Sequence, residues 1–226
     1  MVFKHNPIES LNFNLETSEI NSQRFYHTPQ GNIYPSVTTA LKEFNKDAIE
    51  KWRKRVGEVE ANRISKVASN HGNIIHSLCE KYILNQDINL QEISSIQRGT
   101  FLGLRKVLDR SLDGVVCLEQ SLYSDRLRLA GRVDCIGTWD GSLAVIDFKT
   151  SAKEKREEWI TNYFMQCTIY ACMFYELTGI PIYDIVVLIS CDGLRYPQVF
   201  HRKVDDYLTS TLKYVKRYHE SMEIMV

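Results

Sequence analysis

The stretch from Leu129 to Lys149 constrains this chain more than any other. It reads Leu-Ala-Gly-Arg-Val-Asp-Cys-Ile-Gly-Thr-Trp-Asp-Gly-Ser-Leu-Ala-Val-Ile-Asp-Phe-Lys, and Asp140-Gly141 is among the strongest short signals for a two-residue hairpin turn. With those residues at the turn, Trp139 faces Ser142, and the register carried outward sets Asp134 opposite Asp147 and Arg132 opposite Lys149. Directly opposed Cβ atoms lie about 4.5–5.5 Å apart, where like charges destabilise a strand pair. Ile136, Leu143 and Val145 share the acids' face, while Val133, Cys135, Ala144, Ile146 and Phe148 occupy the other. Both faces are apolar, which places the hairpin centrally in a sheet covered on both sides.

An acid pair buried there needs a compensating charge or a proton. A divalent cation with oxygen ligands, Mg²⁺ or Mn²⁺, meets that need with few extra groups. Lys149 lies two residues beyond Asp147, so it projects to the same face and brings an ammonium to the acids. The hairpin alone leaves a simpler arrangement open, in which Arg132 and Lys149 only neutralise the two carboxylates.

Elsewhere the periodicity predicts a short hairpin over about 23–37, turned by Pro29-Gln30-Gly31, and then helices. These are Thr38–Phe44, a basic helix from Asp47 to Val67 carrying Trp52, Arg53 and Arg55, Ser69–Leu84, and Ser94–Leu108. From Gly114 the period shifts to two, with Val116, Leu118, Gln120 and Leu122 alternating against Val115, Cys117, Glu119 and Ser121. After the central hairpin come a helix over Trp159–Thr178 closed by Gly179, strands over Tyr183–Cys191 and Arg195–His201, and a helix over Val204–Glu220. The fold expected is α/β (α+β), a central mixed sheet flanked by helices with an N-terminal helical region. One domain over 1–226 is expected, with 1–22 an N-terminal extension, about 38–110 helical and about 114–226 the sheet core.

Two helices offer partners to the acids. Gly72, His76 and Glu80 follow at intervals of four and so lie on one stripe. A mid-helix glycine costs about 1 kcal/mol relative to alanine, a cost explained by another backbone or a ligand approaching that stripe. Spacing leaves His76 open between a metal ligand and a hydrogen-bonded core residue. Gln166 and Tyr170, also four apart, share a face, and a buried hydrogen-bonding pair would look the same.

The equal counts of 28 basic and 28 acidic residues exclude a polybasic protein that grips nucleic acid by overall field. Any such contact must be local. The basic helix around Trp52 suits single-stranded DNA, its cations tracking phosphates and an aromatic ring stacking on a base; interspersed Glu50, Glu58 and Glu60 make a solvated face the competing reading. Six cysteines without a CxxC pair read as reduced core residues. The opening residues lack an apolar stretch of signal-peptide type, and the longest aliphatic run is Ile185–Ile189, so a cytoplasmic protein without membrane association is expected.

Taken in order, Gly72-Asn-Ile-Ile-His76, Gly131-Arg-Val-Asp134, Ile146-Asp147-Phe-Lys149 and Gln166-Cys-Thr-Ile-Tyr170 resemble the RecB-like branch of the PD-(D/E)XK nuclease superfamily. Tyr34-Pro-Ser-Val-Thr-Thr-Ala-Leu41 is similar to the segment preceding the helices in exonucleases of the mitochondrial-genome-maintenance and phage types, so the likeness runs from about residue 24 onward. The resemblance implies a restriction-endonuclease-like core and a metal held by His76, Asp134, Asp147 and the Phe148 carbonyl, with Lys149 catalytic beside the two acids. It implies that Gln166 and Tyr170 position the scissile strand or support the site, and that Glu80, Glu119, Arg132, Ser36 and Thr38, with Trp52, Arg53 and Arg55, support the site or contact DNA. The implied activity is Mg²⁺- or Mn²⁺-dependent exonuclease action on DNA, single-stranded with a free end threaded through an arch, in replication, recombination or repair alongside proteins of those processes. A structure-specific or double-strand endonuclease and a non-catalytic DNA-binding relative are the alternatives. The chain departs from the family pattern in lacking a Pro-Asp pair and in having Asp147 where Glu is common; the cysteine cluster of iron–sulfur relatives has no counterpart, so no such cluster is expected.

Overall fold

The computed structural model describes residues 2–223. Its elements in chain order are β1 (Lys4–His5), β2 (Glu16–Ile20), β3 (Gln23–His27), β4 (Ile33–Pro35), α1 (Val37–Lys42), α2 (Lys46–Val56), α3 (Glu58–Ile83) and α4 (Ser95–Ser111). They continue with β5 (Leu112–Ser124), β6 (Leu129–Trp139), β7 (Ser142–Ser151), α5 (Thr161–Thr178), β8 (Asp184–Cys191), β9 (Gln198–Lys203) and α6 (Val204–Glu223). Six strands form one mixed sheet in the order β1-β5-β6-β7-β8-β9, and β2-β3-β4 form a second, antiparallel sheet. In the large sheet β1 runs parallel to β5 and β7 parallel to β8, and the remaining neighbours are antiparallel.

Helices cover both faces of the large sheet. One core joins Ile136, Val145, Ile185, Val187 and Ile189 to α1, α5 and α6; the other joins Cys135, Ala144, Ile146, Val186 and Leu188 to α3 and α4. Every residue of β8 is buried, which is why its sequence runs apolar without alternating. Among the described residues no helix is long and apolar enough to cross a membrane.

The hairpin turn follows expectation. Asp140 and Gly141 both have positive φ, +45° and +89°, as a type I′ turn requires. Trp139 pairs with Ser142, and the same register holds to Cys135↔Ile146. There the ladder ends. Asp134 and Asp147 are therefore not a cross-strand pair, because β6 continues along β5 to Leu129 while β7 continues along β8 to Ser151, and the two strands part at the acids. Arg132 pairs with Ser121 of β5 rather than facing Lys149. Strict alternation also fails here: Val133 joins Ile136 in the α5-side core, leaving Asp134 and Cys135 consecutive between them. The irregularity coincides with one on the neighbouring strand, where Glu119, between the Leu118↔Cys135 and Gln120↔Val133 pairs, takes a left-handed φ of +47°.

Three further readings need correction. The basic helix expected over 47–67 and the helix expected over 69–84 are divided elsewhere: the break is at Gly57, whose φ of +85° with ψ of 149° no helix contains, and everything from Glu58 to Ile83 is one helix. Residues 16–20 form a strand that periodicity could not show, since four of the five are exposed and none is buried. The N-terminal segment is built into both sheets, through β1 on β5 and β2 on β3. Ser36, just after β4, bridges to Ala130 of β6, so the second sheet reaches β6 near the place where β7 has left it.

Candidate active site

Where β6 and β7 part, α3, β5 and β6 each deliver one donor. His76 Nδ1 stands 3.6 Å from Asp134 Oδ1 and 3.9 Å from Glu119 Oε1, separations too long for direct hydrogen bonds. One atom from each of the three residues lies within 4.8 Å of the others. The ring is held from outside. Arg132 Nε lies 2.9 Å from Glu119 Oε2, and Asp134 Oδ2 accepts the Phe148 N–H at 2.8 Å. Glu119 sits in the ring with a left-handed backbone, φ +47°, which costs on the order of 1–2 kcal/mol outside glycine. Burial disfavours a charged His76, but the Glu119 and Asp134 carboxylates outweigh it and raise the imidazole pKa above its ordinary value.

Asp147 and Lys149, on β7, form the second half of the site. Lys149 Nζ donates to Asp147 Oδ1 at 2.5 Å. Asp147 is only 3% exposed, and burial pushes its carboxyl up to about 6, with Lys149 opposing the rise and Asp134 adding to it. Burial works against the Lys149 ammonium, yet the Asp147 and Asp134 charges reverse that and hold its pKa above the usual lysine value. Asp147 Oδ2 is buried with no hydrogen-bond partner, an arrangement that costs free energy unless something else meets that oxygen. An orphaned carboxylate oxygen, next to an open ring of one imidazole nitrogen and two carboxylates, fits a hard divalent cation.

α5 supplies the opposite wall. Tyr170 lies over Gly131 so closely that a Cβ there would come within 2.7 Å of the Tyr170 hydroxyl and 3.0 Å of its ring; the close approach accounts for glycine in Gly131-Arg-Val-Asp134. Gly72 is less tightly constrained, since a Cβ on it would meet Thr150 Oγ1 at 3.5 Å, ordinary contact. An open cleft of about 540 Å³ joins these parts.

Of the expected residues, Ser36, Thr38, His76, Glu80, Glu119, Arg132, Asp134, Lys149, Gln166 and Tyr170 line this cleft. Ser36 is the N-cap of α1 and accepts the Thr39 N–H, which fixes its hydroxyl. Asp147 is buried beside Lys149, and Phe148 pairs with Leu188 of β8. Trp52, Arg53 and Arg55 are not among the lining residues; they sit on α2, where Arg53 Nη2 is held by Glu58 at 2.5 Å and Asn62 at 2.6 Å. Glu119, read from sequence only as a supporting group, is the third member of the compact ring, and Asp147 is tied to Lys149 instead. Sequence reading missed Arg24 and Tyr26, which reach the cleft from β3 with no local signal. It also missed Tyr163, whose ring lies 5.3 Å from Lys149 Nζ. Tyr163 shares a helical stripe with Gln166 and Tyr170, a signal that was present in the spacing.

The sequence profile of the PD-(D/E)XK nuclease superfamily matches residues 39–182. Mitochondrial genome maintenance exonuclease 1 of Homo sapiens is 27% identical over 134 residues, covering 56% of this chain and 39% of that protein. The Xenopus tropicalis protein of the same name is 29% identical over 157 residues, covering 66% of this chain and 44% of its own length. The match thus spans less than half the length of these curated relatives. Among solved structures, an alkaline exonuclease from Laribacter hongkongensis aligns with a TM-score of 0.34 and 16% identity, over 70% of this chain and 81% of the other.

Proposed function

Since the chain belongs to the PD-(D/E)XK nuclease superfamily, we propose that it is a divalent-metal-dependent exonuclease hydrolysing phosphodiester bonds of single-stranded DNA from a free end, in replication, recombination or repair. The observation that carries this reading is the convergence of His76, Glu119, Asp134 and Lys149 on one open cleft, with Asp147 buried and tied to the lysine. His76, Asp134 and Glu119 would hold the cation, with Asp147 Oδ2 and the Phe148 carbonyl as further oxygen donors. Bound there, Mg²⁺ or Mn²⁺ supplies Lewis acidity toward the scissile phosphate.

The chain's own residues do the rest. Lys149, kept cationic by Asp147 and Asp134, orients the attacking water and offsets charge building on the phosphoryl oxygens. Gln166 and Tyr170 position the strand from the α5 wall. Arg24 and Arg132, both on the cleft, meet flanking phosphates. Single-strand preference and free-end entry draw support from α2 and the first turns of α3: no residue of α2 is buried, and none from Asn62 to Asn70. These helices are thus free to guide a strand, with Trp52 available for base stacking.

Digestion of end-labelled linear and circular DNA, single- and double-stranded, with magnesium, manganese or chelator tests the reading. Linear single strands should be degraded with either metal and spared with chelator. Equal rates on circular and linear single strands would show an endonuclease. No cleavage of any substrate, with binding retained, would show a non-catalytic relative.

A further inference from the structure

We propose that Tyr163 is a positioning residue for Lys149, holding the ammonium against Asp147 and toward the cleft; the inference rests on the catalytic reading of Lys149. Two contacts of the ammonium bear on its direction. Asp147 Oδ1 takes one N–H at 2.5 Å, and the Tyr163 ring centroid lies 5.3 Å from Nζ, inside the range of about 6 Å where a cation is drawn to a ring face. A lysine on a four-carbon stem otherwise has wide rotamer freedom, and with its side chain 20% exposed Lys149 has a route toward solvent. Asp147 fixes one N–H but not the direction of the other two. The aromatic face restricts that direction.

The ring is itself anchored. Tyr163 lies in the first turn of α5, its N–H donates to the Ile160 carbonyl at 2.8 Å, and its side chain packs partly buried against the core. Positions 163, 166 and 170 are spaced i, i+3 and i+7, so they form one stripe, and Gln166 and Tyr170 of that stripe line the cleft. One helix thereby presents the strand-facing residues and the brace for the lysine on the same side. The ring rather than the hydroxyl makes the contact, so phenylalanine should serve.

The test compares Lys149→Ala, Tyr163→Phe and Tyr163→Leu on fluorescent oligothymidylate. If Lys149→Ala cleaves at the wild-type rate, the catalytic reading of Lys149 fails and this inference with it. Given an inactive Lys149→Ala, Tyr163→Phe should keep kcat within about twofold and Tyr163→Leu should lower it about tenfold, the scale of a partly desolvated cation–ring contact. The Kd for the oligonucleotide in chelator should stay within about twofold for both variants, since the brace does not touch the strand. Independently, proton–carbon spectra of the metal-free protein should show the Lys149 ε-methylene signals displaced upfield by the ring in wild type and Tyr163→Phe, and released in Tyr163→Leu. Full kcat in Tyr163→Leu, loss of kcat in Tyr163→Phe, a weakened Kd as the main effect, or undisplaced ε-methylene signals in the wild type would each overturn the proposal.

Discussion

The N–H of Phe148 donates to Asp134 Oδ2 at 2.8 Å, across the gap where β6 and β7 have ceased to pair. A side chain thus takes up a backbone donor of β7, and it fixes the orientation of a carboxylate whose other oxygen faces His76. Asp134→Asn should abolish cleavage by removing the charge while the fold persists. Asp134→Ala should in addition leave that donor without its partner and lower the unfolding free energy by about 1–3 kcal/mol. Urea denaturation of the two variants separates the contributions; equal stabilities would show that the Phe148 bond contributes nothing.

Asp147 makes the metal-free protein's stability depend on pH. Its carboxyl is raised in the folded state from 3.8 to about 6, so folding favours the protonated form. That contribution is fully present below 3.8 and is lost as pH rises through about 6. Asp147→Asn cannot titrate. Between pH 4 and 7.5 the wild type should lose on the order of 2 kcal/mol relative to that variant, read by chemical denaturation in chelator. A pH-independent difference would count against the raised carboxyl. Manganese should raise the wild-type Tm more at pH 7.5 than at pH 5, where protons on Asp147 and His76 compete with the ion.

Gly131→Ala forces the Tyr170 hydroxyl and ring aside. Both are buried in packed surroundings, so a stability loss of about 1–3 kcal/mol is expected, together with a fall in kcat. Tyr170→Phe in the same chain removes the hydroxyl and should recover part of the stability. A purely additive double-mutant cycle would exclude the contact as the cause.

Glu119→Gly should separate stability from metal affinity. Glycine takes a φ of +47° without strain, so the unfolding free energy should hold or rise by about 1 kcal/mol. Manganese binding by calorimetry should weaken at least about tenfold, as for the loss of a ligand. Unchanged manganese affinity would remove Glu119 from the ring.

Much of this was legible in the sequence, for physical reasons that differ along the chain. Asp140-Gly141 carries its own φ preferences, so the turn and five residue pairs of register followed from local chemistry. The end of the ladder did not. It is set by β6 continuing along β5 while β7 continues along β8, pairings between distant strands that no two-residue period encodes. Gly57 was visible as a glycine, but good helix formers on both sides masked the break. Residues 16–20 hid as a strand because neither face is buried. The acids, His76 and Lys149 stood out as charges in apolar company, and Tyr163 did not, because an aromatic residue in an apolar helix is ordinary.

The parting of β6 and β7 has a consequence for hydration. A closed ladder at the centre of a sheet excludes solvent, since each strand satisfies its neighbour's amides and carbonyls. Between Asp134 and the Ser36 bridge at Ala130, the β6 edge has no β7 beside it, and Gly131, Arg132 and Asp134 of that stretch line the open cleft instead. The phosphodiester hydrolysis proposed for this site consumes one water molecule per turnover. The interruption leaves Asp134 and Lys149 on a face open to the cleft, so bulk solvent reaches them without a separate channel through the sheet.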